Sequence, residues 1–408
     1  MKWASSVSAD PHIDAALAAA GDGVRDQLGG RVPDLIVVFV SPHHSGAFEE
    51  LPQRIIDALG GGLVIGCSAG GVIGGGTEVE QQPGLSLTAA VLPGVELTPF
   101  HLDANAPQST LDPAAWEATL GVSRAASPSF LLLPEPFSFE SEGFLRTLDD
   151  AFPGSRKIGG LASGGQQPGV NALFLRQRTY RTGLVGVAVS GNVEVDTVVA
   201  QGCRPIGQPM FVTKCQRNFV WELDGQPPLR VLQDLYERLS SADQELARHS
   251  LFLGIVMKAD RQEYRHGDFL IRNLMGTDDT RHALAVGALL EENSVVQFHL
   301  RDAHTSAEDL ERMLSQYQAA PHGTPAGALL FSCLGRGRHL YGRPDHDTDL
   351  FRKHVGAVPL GGFFCNGEIG PVHETTFLHG YTSSFGLFRP RRAARTTLTH
   401  PLDSDTDR

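Results

Sequence analysis

Leu63-Val64-Ile65-Gly66-Cys67-Ser68-Ala69-Gly70-Gly71 runs from an apolar strand straight into a glycine turn, and its reading decides the fold. Upstream, Leu35-Ile36-Val37-Val38-Phe39-Val40 is another apolar strand, followed by the polar loop Ser41-Pro42-His43-His44-Ser45. Between the two strands, Phe48, Leu51, Ile55 and Leu59 fall on one helical face. Downstream, Leu85 to Val91 is a third strand. A helical crossover makes the first two strands parallel and right-handed, and the third returns as an antiparallel neighbour.

The same order recurs twice. In a second copy, strand Phe130 to Leu133 precedes a helix carrying Phe144, Leu148 and Phe152, then Ile158-Gly159-Gly160-Leu161-Ala162-Ser163-Gly164-Gly165 and strand Leu184 to Val189. In a third, Leu329-Leu330-Phe331 enters a loop with Cys333, Gly335, Arg336, Gly337 and Arg338. A helix around Asp349 to Val355 follows, then Pro359-Leu360-Gly361-Gly362-Phe363-Phe364-Cys365-Asn366-Gly367-Glu368 and strand Thr382 to Phe388. The expected fold class is α/β, with mixed sheets built from repeated β-α-β-β units in two pseudo-related domains. Residues 1–195 hold two units, 196–388 form the second domain, and 389–408 read as a disordered tail.

Other elements fill the gaps. Asp10-Pro11 opens a helix carrying Ile13, Leu17, Ala20, Val24 and Leu28, stopped by Gly29-Gly30. Asp103 to Pro128 reads as a linker with one short helix, Pro113 to Leu120. Pro227 to Leu239 is amphipathic, and Thr305-x-x-Glu308 is a capping-box pattern. Ala283 to Leu290 and Val295 to Leu300 read as a hairpin turning at Glu292-Asn293.

The 408 residues carry 34 basic and 46 acidic side chains, a net charge of −12 that argues against nucleic-acid and anionic-membrane partners. No secretory signal or membrane-spanning run is evident. Five scattered cysteines without a C-x-x-C pair argue against a disulfide framework and a zinc knuckle, and a cytoplasmic location is expected.

Gly66-x-Ser68-x-Gly70 matches a nucleophile elbow, but Val72-Ile73-Gly74-Gly75-Gly76 cannot form the helix such an elbow needs. Anchored on the closing glycine, Ser68 aligns with Ala162 and Cys365, so no nucleophile type is kept across the copies. What the copies share is glycine, which suits either a tight turn or an anion-binding nest of backbone amides. Cys67 and Cys365 sit beside such glycines and read first as small buried hydrophobes. Gln297, His299 and Arg301 share one face of a strand, and Arg272-Asn273 ends another. Arginine at such places suits a carboxylate. Asp345-x-Asp347-x-Asp349 lacks the glycine and glutamate of a calcium loop and reads as a helix N-terminus, so neither a metal nor a cofactor is expected.

Gly66 to Gly71 resembles the glycine loop of the N-terminal FIST domain (F-box and intracellular signal transduction proteins). Gly267 to Gly276, Val296 to Asp302, Gly361 to Gly370 and Leu378 to Ser383 resemble the C-terminal FIST domain. The resemblance spans about residues 30 to 388 and implies a sensory protein that binds a small ligand, an amino acid or a similar small polar metabolite. No F-box or transmitter domain is expected in this chain, so output would pass through a signalling partner protein. Candidate ligand contacts are Cys67, Ser68, Arg272, Asn273, His299, Arg301, Cys365, Asn366 and Glu368; no catalytic residue is assigned. The alternatives are a hydrolase or transferase with Ser68 or Cys365 as nucleophile, or an interaction scaffold.

Overall fold

The computed structural model describes residues 1–104, 113–258, 263–265, 267–278 and 282–391. The first unit comprises β1 (Lys2–Ser8), α1 (Ile13–Leu28), β2 (Leu35–Val40), α2 (Leu51–Leu59), β3 (Leu63–Ser68), the hairpin β4 (Gly71–Gly74) and β5 (Thr77–Glu80), and β6 (Leu85–Val91). The second comprises β7 (Val95–Leu102), α3 (Pro113–Leu120), β8 (Ser129–Pro134), α4 (Ser141–Ala151), β9 (Lys157–Gly160), the hairpin β10 (Leu173–Leu175) and β11 (Arg178–Tyr180), and β12 (Leu184–Gly191).

The third unit opens with β13 (Glu194–Ala200) and is then interrupted. The insertion contains β14 (Arg204–Gln216), β15 (Phe219–Leu223), α5 (Pro228–Arg238), α6 (Ser241–Ala247), β16 (Leu251–Val256), β17 (Phe269–Asp278), β18 (Ala283–Val286) and β19 (Val295–Leu300). Its six strands close into a barrel in the order β14-β15-β18-β17-β16-β19. The unit resumes with α7 (Ala303–Ala319), β20 (Gly327–Cys333), α8 (Gly337–Tyr341), α9 (His346–Val355) and β21 (Leu360–Cys365). The hairpin β22 (Glu368–Val372) and β23 (Thr375–His379) and the strand β24 (Ser383–Arg389) complete it.

The fold is thus α/β with mixed sheets built from β-α-β-β units. In each unit the strands flanking the helical crossover are parallel: β2 with β3, β8 with β9, β20 with β21. The returning strand is antiparallel to the first of each pair. The hairpins do not stay at home. β4–β5 joins β21 in the third sheet, β10–β11 joins β3 in the first, and β22–β23 joins β9 in the second. This cyclic exchange gives the three sheets the orders β1-β6-β2-β3-β10-β11, β23-β22-β9-β8-β12-β7 and β13-β24-β20-β21-β4-β5.

The central strands β2, β8 and β20 are near-continuous apolar runs because their sheets are covered on both faces. Inner faces share one core in which Phe39, Ile65, Leu131, Val187, Phe331 and Phe363 meet, with Phe39 stacked on Phe363 at 4.4 Å. Outer faces carry helices: α1 and α2, then α3 and α4, then α7 and α9. Gly66, Gly159 and Gly362 occupy equivalent places opposite Val38, Leu132 and Leu330, and a Cβ on any of them would overlap that neighbour's carbonyl oxygen.

Local chemistry departs from the sequence reading in places. The N-cap of α1 is His12, whose amide is held by Asp10 at 2.8 Å. The cap of α7 is Asp302, which accepts from the Thr305 N–H at 2.7 Å, so Thr305-x-x-Glu308 lies inside the helix. The expected hairpin between Ala283 and Leu300 is not formed: β18 pairs with β15 and β17, whereas β19 pairs with β14 and β16. The Leu290 N–H bonds to the Arg217 carbonyl and the Ser294 carbonyl accepts from Val212, carrying the connection across the barrel end. Residues 105–112 of the expected linker and 392–408 of the expected tail lie outside the described residues. Among the described residues, no helix is long and apolar enough to cross a membrane.

Candidate functional site

The three glycine turns meet, and they bond to one another. Ser163 donates its N–H to the Ser68 carbonyl at 3.1 Å, and Asn366 donates to Leu161 at 3.2 Å. Gly70 donates to the Ser163 hydroxyl, which in turn donates to the Phe364 carbonyl at 2.6 Å. The amides expected to form an anion nest are therefore taken by neighbouring turns, and this junction is a structural clasp. These bonds also correct the alignment. Ser68 is equivalent to Leu161 and Phe364, and Cys365 to Ala69 and Ala162.

The candidate residues accordingly separate. Cys67 lies in the shared core, where burial pushes its thiol well above the usual range. The Ser68 hydroxyl is buried, donating to Asn171 and accepting from the Ala172 N–H, with no histidine among its partners. His299 is sealed on the barrel's outer face, its Nδ1 on the Gln297 carbonyl and its ring edge-on to Phe269 at 4.8 Å. At Gln297, whose Nε2 donates to the Gly207 carbonyl at 2.9 Å, and at His299 the polar face of β19 is thus packed. Arg272 reaches away to Glu142 at 2.8 Å and to the Leu378 carbonyl. Asn366 is exposed beside the clasp.

Arg301, Cys365, Glu368 and Asn273 belong to one neighbourhood, where the end of β20 meets the barrel. The loop 333–336 occupies the place of Ser41 and Glu135 in the other units: the amides of Ser41, Glu135 and Cys333 bond alike to Gly84, Gly183 and Thr382. Only the third copy puts an arginine in that loop's turn. Arg336 is fully buried, and its Nε and Nη2 grip both oxygens of Asp347 at 2.8 and 3.1 Å. His346, Ser332 and Ser383 also bond to Asp347. Burial opposes ionisation of that carboxyl, but the Arg336 guanidinium and these hydrogen bonds outweigh it and hold Asp347 well below the usual carboxylate range.

Arg301 enters from the barrel just beyond β19. Its Nη2 donates to the Gly335 carbonyl at 3.0 Å, and its guanidinium lies 4.9 Å from the Tyr381 ring centre. Tyr381 packs on Phe252 at 4.3 Å, and its hydroxyl bonds to Asn273. Between the arginines sits half-exposed Cys333, its thiol pushed up to about 12 by burial and by Glu368, with Arg301 and two backbone N–H groups countering. Glu368 accepts from the Thr382 N–H at 3.0 Å and from the Cys365 thiol at 3.4 Å. Burial pushes its carboxyl up to about 8, so it is largely protonated at neutral pH.

The unit exchange completes the cluster. Glu78 and Glu80 arrive on β5 from the first unit; Glu78 takes the Thr348 N–H at 3.0 Å and Glu80 takes the Arg338 N–H at 2.9 Å. Burial, reinforced by Asp347, pushes Glu78 up to about 8. Several buried atoms have no partner: Nε of Arg301, Nη1 of Arg336, the Tyr341 hydroxyl and Oε2 of Glu78. The sequence reading names Arg336 only as a loop residue and Asp347 only as part of a helix N-terminus, and it passes over Tyr341 and Glu78. The available signal was an arginine between two glycines directly after an apolar strand. Among the described residues no group of side chains is arranged to hold a metal ion.

The FIST N domain model matches residues 34–226 and the FIST C domain model matches residues 228–371. The chain belongs to the FIST family. FIST domains are associated with sensing in signal transduction. An uncharacterized Mycobacterium tuberculosis protein is 37% identical over 388 residues, covering 95% of this chain and 100% of that protein. An uncharacterized Mycobacterium bovis protein is 35% identical over 374 residues, covering 92% and 95%. Human F-box only protein 22 is 35% identical over 75 residues, which is 14% of this FIST chain and 19% of the human protein. Among solved structures, a cyanuric acid hydrolase from A. caulinodans aligns with a TM-score of 0.36 and 9% identity, over 96% of this chain and 100% of that one. A likeness so distant carries no functional argument.

Proposed function

We propose that this FIST chain is an intracellular sensor of a small polar ligand, an amino acid or similar carboxylate, held where Arg301 and Arg336 converge. One observation carries the reading: two guanidiniums, 8% and 0% exposed, each keep a buried N–H without an acceptor. An unpaired buried donor costs about 1–3 kcal/mol, and a carboxylate supplies the missing acceptor in charge-assisted form. Protonated Glu368 beside them adds no negative charge to repel such a ligand. Tyr381 and Asn273, at the surface over Arg301, would pass occupancy to a signalling partner protein. Neither Ser68 nor Cys365 is favoured as a nucleophile, since both are buried and burial pushes the Cys365 thiol well up.

Calorimetric titration with the standard amino acids and small organic acids tests this. At least one compound should bind saturably, and Arg301→Gln should weaken it by about tenfold or more, as for a lost charged hydrogen bond. A panel without saturable binding, or affinity untouched by that substitution, overturns the proposal.

A further inference from the structure

A second chamber lies on the far side of the segment Gln201-Gly202-Cys203. This segment leaves β13 and enters the barrel, and it separates two environments. Cys203 faces the arginine cluster, and Arg301 and Arg336 both act on its thiol. Gly202 is pressed between them: a Cβ there would come within 2.8 Å of the Ser306 hydroxyl and 3.1 Å of Arg336 Nη1. Gln201 points the other way and lines a cavity of about 430 Å3 bounded by β13, α7 and the turn of the β22–β23 hairpin. That volume is within the range of small-molecule sites, roughly 300–1,000 Å3.

Three features define what the cavity would hold. The first is Gln201, 4% exposed, whose Nε2 has no hydrogen-bond acceptor. A buried amide donor is left so only at a cost, and an entering oxygen atom relieves it. The second is the balance of charge. Arg156 lines the same cavity and gives one N–H to the His373 carbonyl at 3.2 Å, yet has no carboxylate partner among the described residues. The acidic side chains are engaged: Asp309 takes the Gly202 N–H at 3.0 Å and pairs with Arg312, and Asp268 takes the Arg265 N–H at 2.9 Å. The third is the apolar wall supplied by Val199, Met313 and Val372.

We infer that this cavity is a second ligand site, separate from the arginine cluster, and that it takes a small monocarboxylate with a short apolar stem. The carboxylate accepts from Gln201 Nε2 and pairs with Arg156, while the stem lies on Val199 and Met313. A cationic ligand finds its carboxylate partners already committed, and a purely apolar one leaves Gln201 unsatisfied.

Isovalerate, 4-methylpentanoate and hexanoate serve as probes, titrated into the full chain and followed by calorimetry. At least one should bind saturably. Gln201→Leu, which replaces the amide with an apolar group, should weaken that probe by about tenfold. Arg156→Met, on the rim of the cavity, should also weaken it, while Arg301→Gln should leave it unchanged. Absence of saturable binding by all three probes overturns the inference. So does binding that survives Arg156→Met and Gln201→Leu alike, or binding abolished by Arg301→Gln, which would place the probe in the other site.

Discussion

At the scale of the residue, Glu368 shows how burial sets a titration. Its carboxyl has an unfolded pKa of about 4.3 and a folded value pushed up to about 8 by burial. Between those values the folded chain keeps a proton that the unfolded chain has released. Its contribution to stability is therefore full below about pH 4.3, declines as pH rises to about 8, and is flat beyond, with a slope of at most about 1.4 kcal/mol per pH unit. Glu368→Gln is neutral at every pH and removes this slope. The denaturant midpoint of wild type minus that of Glu368→Gln should fall between pH 5 and pH 8.5; parallel pH profiles would contradict the protonated assignment. Asp347 behaves oppositely, since Arg336 holds its carboxyl down and only strong acid would discharge it. Breaking such a buried pair by removing one member costs about 3–5 kcal/mol, because the survivor keeps its charge without compensation.

At the scale of the element, the strand-end glycines are where sequence and geometry agree. Gly66, Gly159 and Gly362 recur because two parallel strands approach there too closely for any side chain. Alanine at any one should destabilise the fold by about 3 kcal/mol or more, or abolish soluble expression. Gly21, inside α1 with open space around its Cα, is the control: Gly21→Ala should raise stability by about 0.5–1 kcal/mol in thermal unfolding. If both classes respond alike, the steric account fails. The repeat and its parallel pairs were legible because period, apolar runs and glycine are local signals. The pairing of β18 was not, since closing a barrel depends on partners distant in sequence. Arg336 was illegible for a related reason. Its burial needs Asp347 on α9 and Glu78 on β5, the latter 258 residues upstream of Arg336. Alternation did bring out Arg301, but could not show that His299, two residues earlier on the same face, is sealed against Phe269.

At the scale of the whole molecule, the exchanged hairpins bind the three units into one cooperative body. None of the three six-stranded mixed sheets is complete without a strand pair from another unit. Trp3 reports one junction, packing on Phe388 at 4.6 Å, and Trp116 reports the second unit, edge-on to Phe144 at 5.6 Å. Variants retaining only Trp3 or only Trp116 should give superimposable denaturation curves. Separate midpoints would mean that the units melt independently.

The exchange also dictates an order of events during synthesis. Strand β9 is made early, yet its sheet partner β22 leaves the ribosome more than 200 residues later, with the barrel emerging in between. Throughout that interval the nascent polypeptide carries an open β edge able to capture an equivalent hairpin from a neighbouring chain on the same message. Slower translation initiation, which spaces ribosomes apart, is therefore the production condition most favourable to monomer.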